Sequence, residues 1–377
     1  MPDKVRKFIY EMQYNFVILQ RQKEDGMNII NRTDIEKFDS TLQKAAKTVI
    51  VTHLKPDGDA IGSSTALYHY IKKYTKSEVC ICLNDKPQQC LNFMTEGLIS
   101  EDIMIFSEDA QKTREAITSA DLILCLDFNA FHRTENLAAE LEASQAIKVL
   151  IDHHLHPDRE CFDIIFSETQ ISSASELLYQ VLMSMPVIES DASRLPAETA
   201  TSLMTGMTTD TNNFANSVYP STLIMASTLL AAGVNRDYIF DKLYNQHSEN
   251  RLRLMGHIMK DLLTVTSDGL AYIVLDRNTQ EEYNVQEGDT EGFVNMPLSI
   301  ANVRMSILVK EDTGRLRVSI RSKKGTSANS CARMYFNGGG HENAAGGRLE
   351  IPVTEAAGYI EKHVQEYFKN QHEQNIQ

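Results

Sequence analysis

The chain has 377 residues, more than one hydrophobic core usually serves, so two domains are expected. Its 42% apolar and 23% charged content fits a folded globular protein, and 37 basic against 51 acidic residues give a formal charge of −14. That balance disfavours general capture of long duplex nucleic acid, which rises with the number of phosphates neutralised, and leaves room for a small phosphorylated ligand. No apolar run of about 18 residues could span a bilayer, and the N-terminus lacks a signal-peptide pattern. Six scattered cysteines (Cys80, Cys82, Cys90, Cys125, Cys161, Cys331) offer no disulfide framework, so reduced thiols and a cytoplasmic location are expected, without a membrane partner.

Residues 1–46 read as amphipathic helix, with Phe8, Met12 and Phe16 at helical spacing and a second helix over 35–46. This region either packs on a domain, the blander reading, or forms a partner surface. The oligomeric state, a homodimer included, stays open. Strand-like runs at 47–52, 79–83, 122–127 and 147–151 alternate with helical stretches, among them 107–119 and 134–145. That alternation predicts an α/β domain built on a parallel sheet, with its ligand site beyond the carboxyl ends of the strands. Helices follow over 173–183, 198–207 and 220–232. The charged stretch 241–262 reads as a linker between a catalytic domain, 1–240, and a smaller α/β domain, 263–377. There, β runs at 270–275, 303–309 and 316–321 precede a helix-like 327–336 and a strand-like 348–352. The two domains are expected to face each other across a cleft.

The chemistry gathers where apolar runs end. His53-Leu54-Lys55-Pro56-Asp57-Gly58-Asp59 leaves the run Val49-Ile50-Val51, with proline and glycine turning a short loop back on a small volume. Asp127 ends the run Leu124-Cys125-Leu126, and Asp152-His153-His154 ends Val149-Leu150-Ile151. Each alone has a dull explanation, as a loop, cap or locally satisfied residue. Asp59 precedes a helix start and its oxygen could cap it. Together they predict carboxylates and imidazoles at the tips of neighbouring strands. Mixed oxygen and nitrogen ligation suits manganese, with magnesium, cobalt and zinc as alternatives. Asp127 could bridge two cations about 4 Å apart, an arrangement suited to phosphoryl transfer.

The order His53-x-x-Pro56-Asp57-x-Asp59, Asp127, Asp152-His153-His154 and Asp210 resembles the Asp-His-His phosphoesterase superfamily. Within it the chain most resembles the two-domain nano-RNase and 3'-phosphoadenosine-5'-phosphate phosphatase branch, over about residues 35–352. The resemblance implies that His53 and Asp57 serve one manganese, that Asp59, His153 and Asp210 serve the other, and that Asp127 bridges. It implies that Asp152 orients an imidazole and that His154 contacts the scissile phosphate. Asp210, beyond a helix rather than a strand, is selected only by the resemblance.

A second set lies in the C-terminal half. Gly338-Gly339-Gly340-His341 offers main-chain amides that can approach phosphate as an anion nest, with Ala344 and Ala345 suiting a helix that begins there. Arg321, with Ser322 beside it, offers a guanidinium fork to an oxyanion. The bland readings are a flexible loop and solvated charge. The family's accessory domain pairs an Arg-Ser segment with a Gly-Gly-Gly-His loop to hold the terminal nucleotide, which implies the functional reading. Expected substrates are therefore short single-stranded oligonucleotides cut to 5'-mononucleotides, with 3'-phosphoadenosine-5'-phosphate, converted to AMP, as a further candidate. Inorganic pyrophosphate hydrolysis and non-catalytic nucleotide sensing are the alternatives. Two departures bear on specificity. Phe128 and Phe131 stand where many relatives carry smaller, more acidic residues and either fill the core, the favoured reading, or reshape the pocket wall, and Asn212–Asn216 lacks the Gly-Ser-Phe-Arg pattern common after this aspartate.

Overall fold

The computed structural model describes residues 30–286 and 288–374, so the helical pattern through Phe8, Met12 and Phe16 lies outside the described residues. The chain divides into two compact units between Asn245 and Gln246. Among the described residues no helix is long and apolar enough to cross a membrane.

The first unit begins with α1 (Arg32–Lys44) and β1 (Lys47–Val51), then α2 (Gly58–Tyr74), β2 (Glu78–Leu83), β3 (Ile103–Ile105), α3 (Ala110–Thr118) and β4 (Leu122–Leu126). It continues through α4 (Ala138–Ala143), β5 (Ile147–Asp152), β6 (Ile164–Ser167), α5 (Ala174–Met183), α6 (Ala197–Asp210), α7 (Pro220–Ala231) and α8 (Arg236–Tyr244). The six strands form one sheet in the order β3-β2-β1-β4-β5-β6, parallel throughout. Both sheet faces are covered. Ile50, Leu124 and Ile151 pack with Ile61 of α2, Leu177 of α5 and Leu203 of α6, whereas Val51, Cys125 and Leu150 pack with Ile117 of α3 and Leu141 of α4. Burial on both faces is why these strands read as continuous apolar runs rather than alternating ones. The edge strands β3 and β6 escape the sequence pattern because they are only three and four residues long. All six cysteines are free thiols.

The second unit opens with α9 (Glu249–His257), followed by β7 (Thr264–Val265), β8 (Leu270–Leu275), α10 (Arg277–Glu282), β9 (Met305–Asp312) and β10 (Arg315–Ser322). It closes with α11 (Ala328–Tyr335), β11 (Gly339–His341), β12 (Ala344–Leu349) and α12 (Ala356–Gln374). Its sheet runs β11-β12-β10-β9-β8-β7, with β8 and β9 parallel and the other pairs antiparallel. Two sequence expectations need correction here. The boundary between the units falls inside the stretch 241–262, but most of that stretch is folded: 241–244 end α8, and beyond the boundary Leu254 and Ile258, one helical turn apart, are buried with Ile273, Phe293 and Leu308, with the Arg251 guanidinium over the Phe293 ring. From 249 onward the charged side chains belong to a packed helix. Ala344 and Ala345 open no helix, because they start β12, joined to β11 by the two residues Glu342 and Asn343.

Whether α1 belongs to the core is a matter of packing. Phe38 is fully buried and meets Phe166 of β6 edge to face, with ring centroids 5.6 Å apart. Phe38→Ala is expected to lower unfolding free energy by about 3–5 kcal/mol, read from urea denaturation of the whole chain. A loss below about 1 kcal/mol, within the scatter of surface substitutions, would show that α1 only lies on the surface.

Candidate metal centre

The sheet changes direction between β1 and β4. From β1 the chain winds to β2 and β3 on one side, and from β4 to β5 and β6 on the other. A crevice opens at such a switch point, beyond the carboxyl ends of the strands. His53 follows β1, Asp127 follows β4, and Asp152 ends β5 with His153 and His154 next in line. Three adjacent strands therefore deliver three of the predicted segments to one place. Asp127 sits at φ 63°, a left-handed conformation that non-glycine residues rarely adopt, and its N–H donates to Ile151 O at 3.1 Å. That backbone turn directs the chain away from the sheet as the strand ends.

Helices bring the remaining carboxylates. Asp57 caps α2, its Oδ1 accepting the N–H groups of Asp59 and Ala60 at 3.0 and 3.1 Å. The cap is thus Asp57, not Asp59. The Asp59 carboxylate instead accepts main-chain N–H groups from another helix, Ala174 at 2.6 Å and Ser175 at 2.9 Å, at the start of α5. Sequence reasoning missed this contact. The pattern Ser173-x-x-Glu176, a helix-start signature, was the available signal: Ser173 Oγ accepts the Glu176 N–H at 2.9 Å. Asp210 is the last residue of α6, where the negative end of the helix dipole disfavours a carboxylate unless a cation compensates.

The side chains converge on Asp127. Its Oδ2 lies 3.5 Å from His53 Nε2, which is also 3.8 Å from Asp57 Oδ1. Its Oδ1 lies 3.4 Å from His153 Nε2, which is 3.6 Å from Asp210 Oδ2. Two groups result, His53 with Asp57 and Asp127, and Asp59 with His153 and Asp210, each with potential ligand atoms within 4.8 Å of one another. A third grouping joins Asp127 and His153 to His154. His53 Nδ1 pairs with Leu54 O at 2.8 Å, which fixes Nδ1 as the donor and Nε2 as the nitrogen facing the carboxylates. Asp152 is wholly buried and accepts twice from His154, at Nδ1 (2.7 Å) and at the main-chain N–H (3.2 Å).

The electrostatics of the cluster call for positive charge. Burial pushes the Asp59 carboxyl well above the usual range, and the charges of Asp127 and Asp210 push it further. Asp210 is raised in the same way, by burial and then by Asp127 and Asp57 against the pull of His153. Burial disfavours a charged His53 ring, but contact with Asp127 and Asp57 outweighs it and carries His53 up to about 11. Burial likewise opposes ionisation of Asp127, yet His153 and His53 hold it below the usual carboxylate range. Asp127 Oδ1 is buried without a hydrogen-bond partner. A buried orphan oxygen, crowded acids and imidazole nitrogens turned toward them fit divalent cations, which would replace the protons the cluster otherwise binds.

In the second unit, Arg321 Nη1 donates to the carbonyls of Ile320 and Ala345 at 3.0 and 3.5 Å, and Arg321 forms no ion pair among the described residues. Ser322 is buried, its Oγ donating to Thr326 O at 2.6 Å and accepting from Asn343 Nδ2 at 3.0 Å. Its hydroxyl proton is thereby committed to a turn rather than to a ligand. The glycines also have a structural use. A Cβ on Gly338 would lie 1.9 Å from Gly346 O, and Gly340, at φ 153°, would place one 2.5 Å from Ala344 O. The N–H groups of Gly338 and Gly340 donate to Ala332 O and to Asn329 Oδ1, so these two amides of the hairpin are already paired. The His341 side chain lies outside the described residues. Phe128 and Phe131 are buried in the core under the sheet. Beyond Asp210, Asn212, Asn213 and Phe214 all have positive φ, and Arg236 of α8 donates to Asn213 Oδ1 at 2.7 Å.

Comparison with known proteins agrees with this geometry. Residues 47–207 match the DHH family, N-terminal domain, and residues 268–370 match the DHHA1 domain. An exopolyphosphatase-related protein from Bacteroides fragilis superposes with a TM-score of 0.85 at 36% identity, over 92% of this chain and 99% of that one. A bifunctional oligoribonuclease and PAP phosphatase, NrnA, from Thermus thermophilus is 28% identical over 303 residues, 80% of this chain and 83% of the relative. RecJ from Thermus thermophilus, solved with Mn2+, shares the fold alone, with a TM-score of 0.54 at 13% identity over 90% of this chain and 54% of that one. The chain belongs to the DHH family of metal-dependent phosphoesterases, with the DHH–DHHA1 architecture of its bifunctional oligoribonuclease and PAP phosphatase branch.

Proposed function

We propose that this phosphoesterase hydrolyses very short single-stranded oligonucleotides to 5'-mononucleotides and also removes the 3'-phosphate of 3'-phosphoadenosine-5'-phosphate to give AMP. The observation that carries the reading is the placement of Asp127, whose two carboxylate oxygens each face a different imidazole and a different set of acids. In this reading His53 and Asp57 would hold one manganese, and Asp59, His153 and Asp210 the other, with Asp127 shared between the two groups. Bound there, such ions would supply a nucleophile at neutral pH and charge to offset that of the phosphoryl oxygens. The chain's own groups do the rest. Asp152 accepts from His154 Nδ1, fixing the ring and making Nε2 the atom that exchanges a proton with the phosphate oxygens. Its complete burial keeps that orientation from relaxing.

Arg321 is the chosen contact for a second phosphate or the terminal nucleotide. It is half-buried, burial lowers its affinity for its proton, and its described bonds go only to main-chain carbonyls, so a ligand oxyanion would supply the missing counter-charge. Ser322, through Thr326 and Asn343, shapes the turn beside it, and Gly338, Gly339, Gly340 and His341 form the neighbouring hairpin. A net charge of −14 supports a preference for ligands with few phosphates over long strands.

The direct test is turnover of a 5'-labelled RNA dinucleotide by metal-stripped protein resupplied with manganese, beside 3'-phosphoadenosine-5'-phosphate, pyrophosphate and a 24-residue strand. The dinucleotide should be cut at least about tenfold faster than the long strand, and Asp127→Asn should lower its turnover on the order of a thousandfold. Turnover independent of strand length, or fastest on pyrophosphate, would overturn the assignment. Arg321→Ala should raise the KM for the dinucleotide roughly 10- to 100-fold, the worth of a charge-assisted hydrogen bond, with kcat nearly unchanged. An unchanged KM would remove Arg321 from the site.

A further inference from the structure

Asp59 differs from the other acids of the cluster in being enclosed by three helices. It lies on the first turn of α2 and is 1% exposed. Its two oxygens accept the Ala174 and Ser175 N–H groups of α5. The third wall is α6, at Gly206. A Cβ on Gly206 would lie 2.9 Å from Asp59 Oδ1, 2.0 Å from Ser175 Oγ and 2.9 Å from Ser175 Cβ. The Gly206 backbone is ordinary helix, so nothing in its dihedral angles calls for glycine. Space does. A Cβ on Gly62, one turn after Asp59 in α2, would meet Ser202 O at 2.7 Å and Gly206 Cα and N at 2.8 Å, so α2 and α6 touch backbone to backbone. One turn after Gly206, α6 ends in Asp210.

We propose that Gly206 is a positioning residue for the metal centre: its lack of a side chain lets α6 close on the Asp59 carboxylate while the α5 amides hold that carboxylate from the other side. The inference rests on the two-cation reading above and adds to it a residue that bears on one cation only. Asp59 belongs with His153 and Asp210, whereas His53 and Asp57 stand on the far side of Asp127. Displacing Asp59 Oδ1 should therefore weaken one manganese and spare the other. A glycine needed only for helix packing would behave differently, because relief of the clash with Ser175 would then restore everything.

The test is equilibrium dialysis of manganese against the wild-type chain, Gly206→Ala, Ser175→Gly and the double variant, with thermal melting of each. Ser175→Gly removes both side-chain atoms in the way and keeps the main-chain N–H that Asp59 accepts, and as a single variant it isolates the loss of the hydroxyl beside Asp59. The expected result is a double variant that melts close to Ser175→Gly and, relative to it, has one manganese weakened at least tenfold and binds the other within a factor of two. A double variant with the two affinities of Ser175→Gly would overturn the positioning role, and so would equal weakening of both ions. A wild-type chain that binds no manganese would instead overturn the metal reading, and the inference with it. If Gly206→Ala alone fails to fold, the double variant still decides.

Discussion

Like-charge crowding is the constraint on which the rest of the first unit depends. Four aspartates, Asp57, Asp59, Asp127 and Asp210, meet around two imidazoles, and although Asp57 is exposed, the burial of Asp59 and Asp127 and the partial burial of Asp210 make the site poor at supporting negative charge. Such an arrangement is stable only if protons or cations fill it. Without cations, Asp59 and Asp210 take up protons more readily than ordinary carboxyls, and His53 keeps its own far above neutral pH. A divalent ion relieves the same repulsion while leaving every ligand deprotonated. The sign follows directly: groups with raised affinity for protons must release them when metal binds, so metal affinity climbs as pH rises.

The fold holds this unfavourable cluster by fastening it at several points. The parallel strands β1, β4 and β5 set His53, Asp127 and His153 side by side, with a register fixed by apolar residues on both faces. The helices contribute through close approach, since α2 and α6 touch at Gly62 and Gly206 and bring Asp59 and Asp210 into the same group. The N-terminus of α5 gives Asp59 two amide donors, and a buried Glu176 anchors that terminus, accepting from Ser172 Oγ and from Thr222 Oγ1 of α7. Each contact costs conformational freedom, and together they exclude the relaxation that would otherwise separate the charges.

Much of this was legible because apolar runs ended in the residues that carry the chemistry. His53, Asp127 and the Asp152–His154 segment announce themselves at the ends of strands, and parallel topology alone then gathers them. Asp210 was visible only through family resemblance, for the end of a helix carries no comparable signal. Spacing could not say which of Asp57 and Asp59 caps α2, because both lie within reach of free amides and tertiary contact decides. Consecutive glycines were ambiguous for a related reason: close strand pairing at Gly338 and Gly340 and an open anion nest both require a missing Cβ. Charge density misled at 241–262, where the apolar pair Leu254 and Ile258 outweighed the polar majority. Gly206 had no local signal at all, since its neighbour is brought from another helix.

The most direct test of the central claim is calorimetric titration of metal-stripped protein with manganese near pH 7, in two buffers that differ in ionisation enthalpy. The account predicts two ions bound per chain, with protons released into the buffer as they bind. A single ion, or two ions bound without proton release, would contradict it.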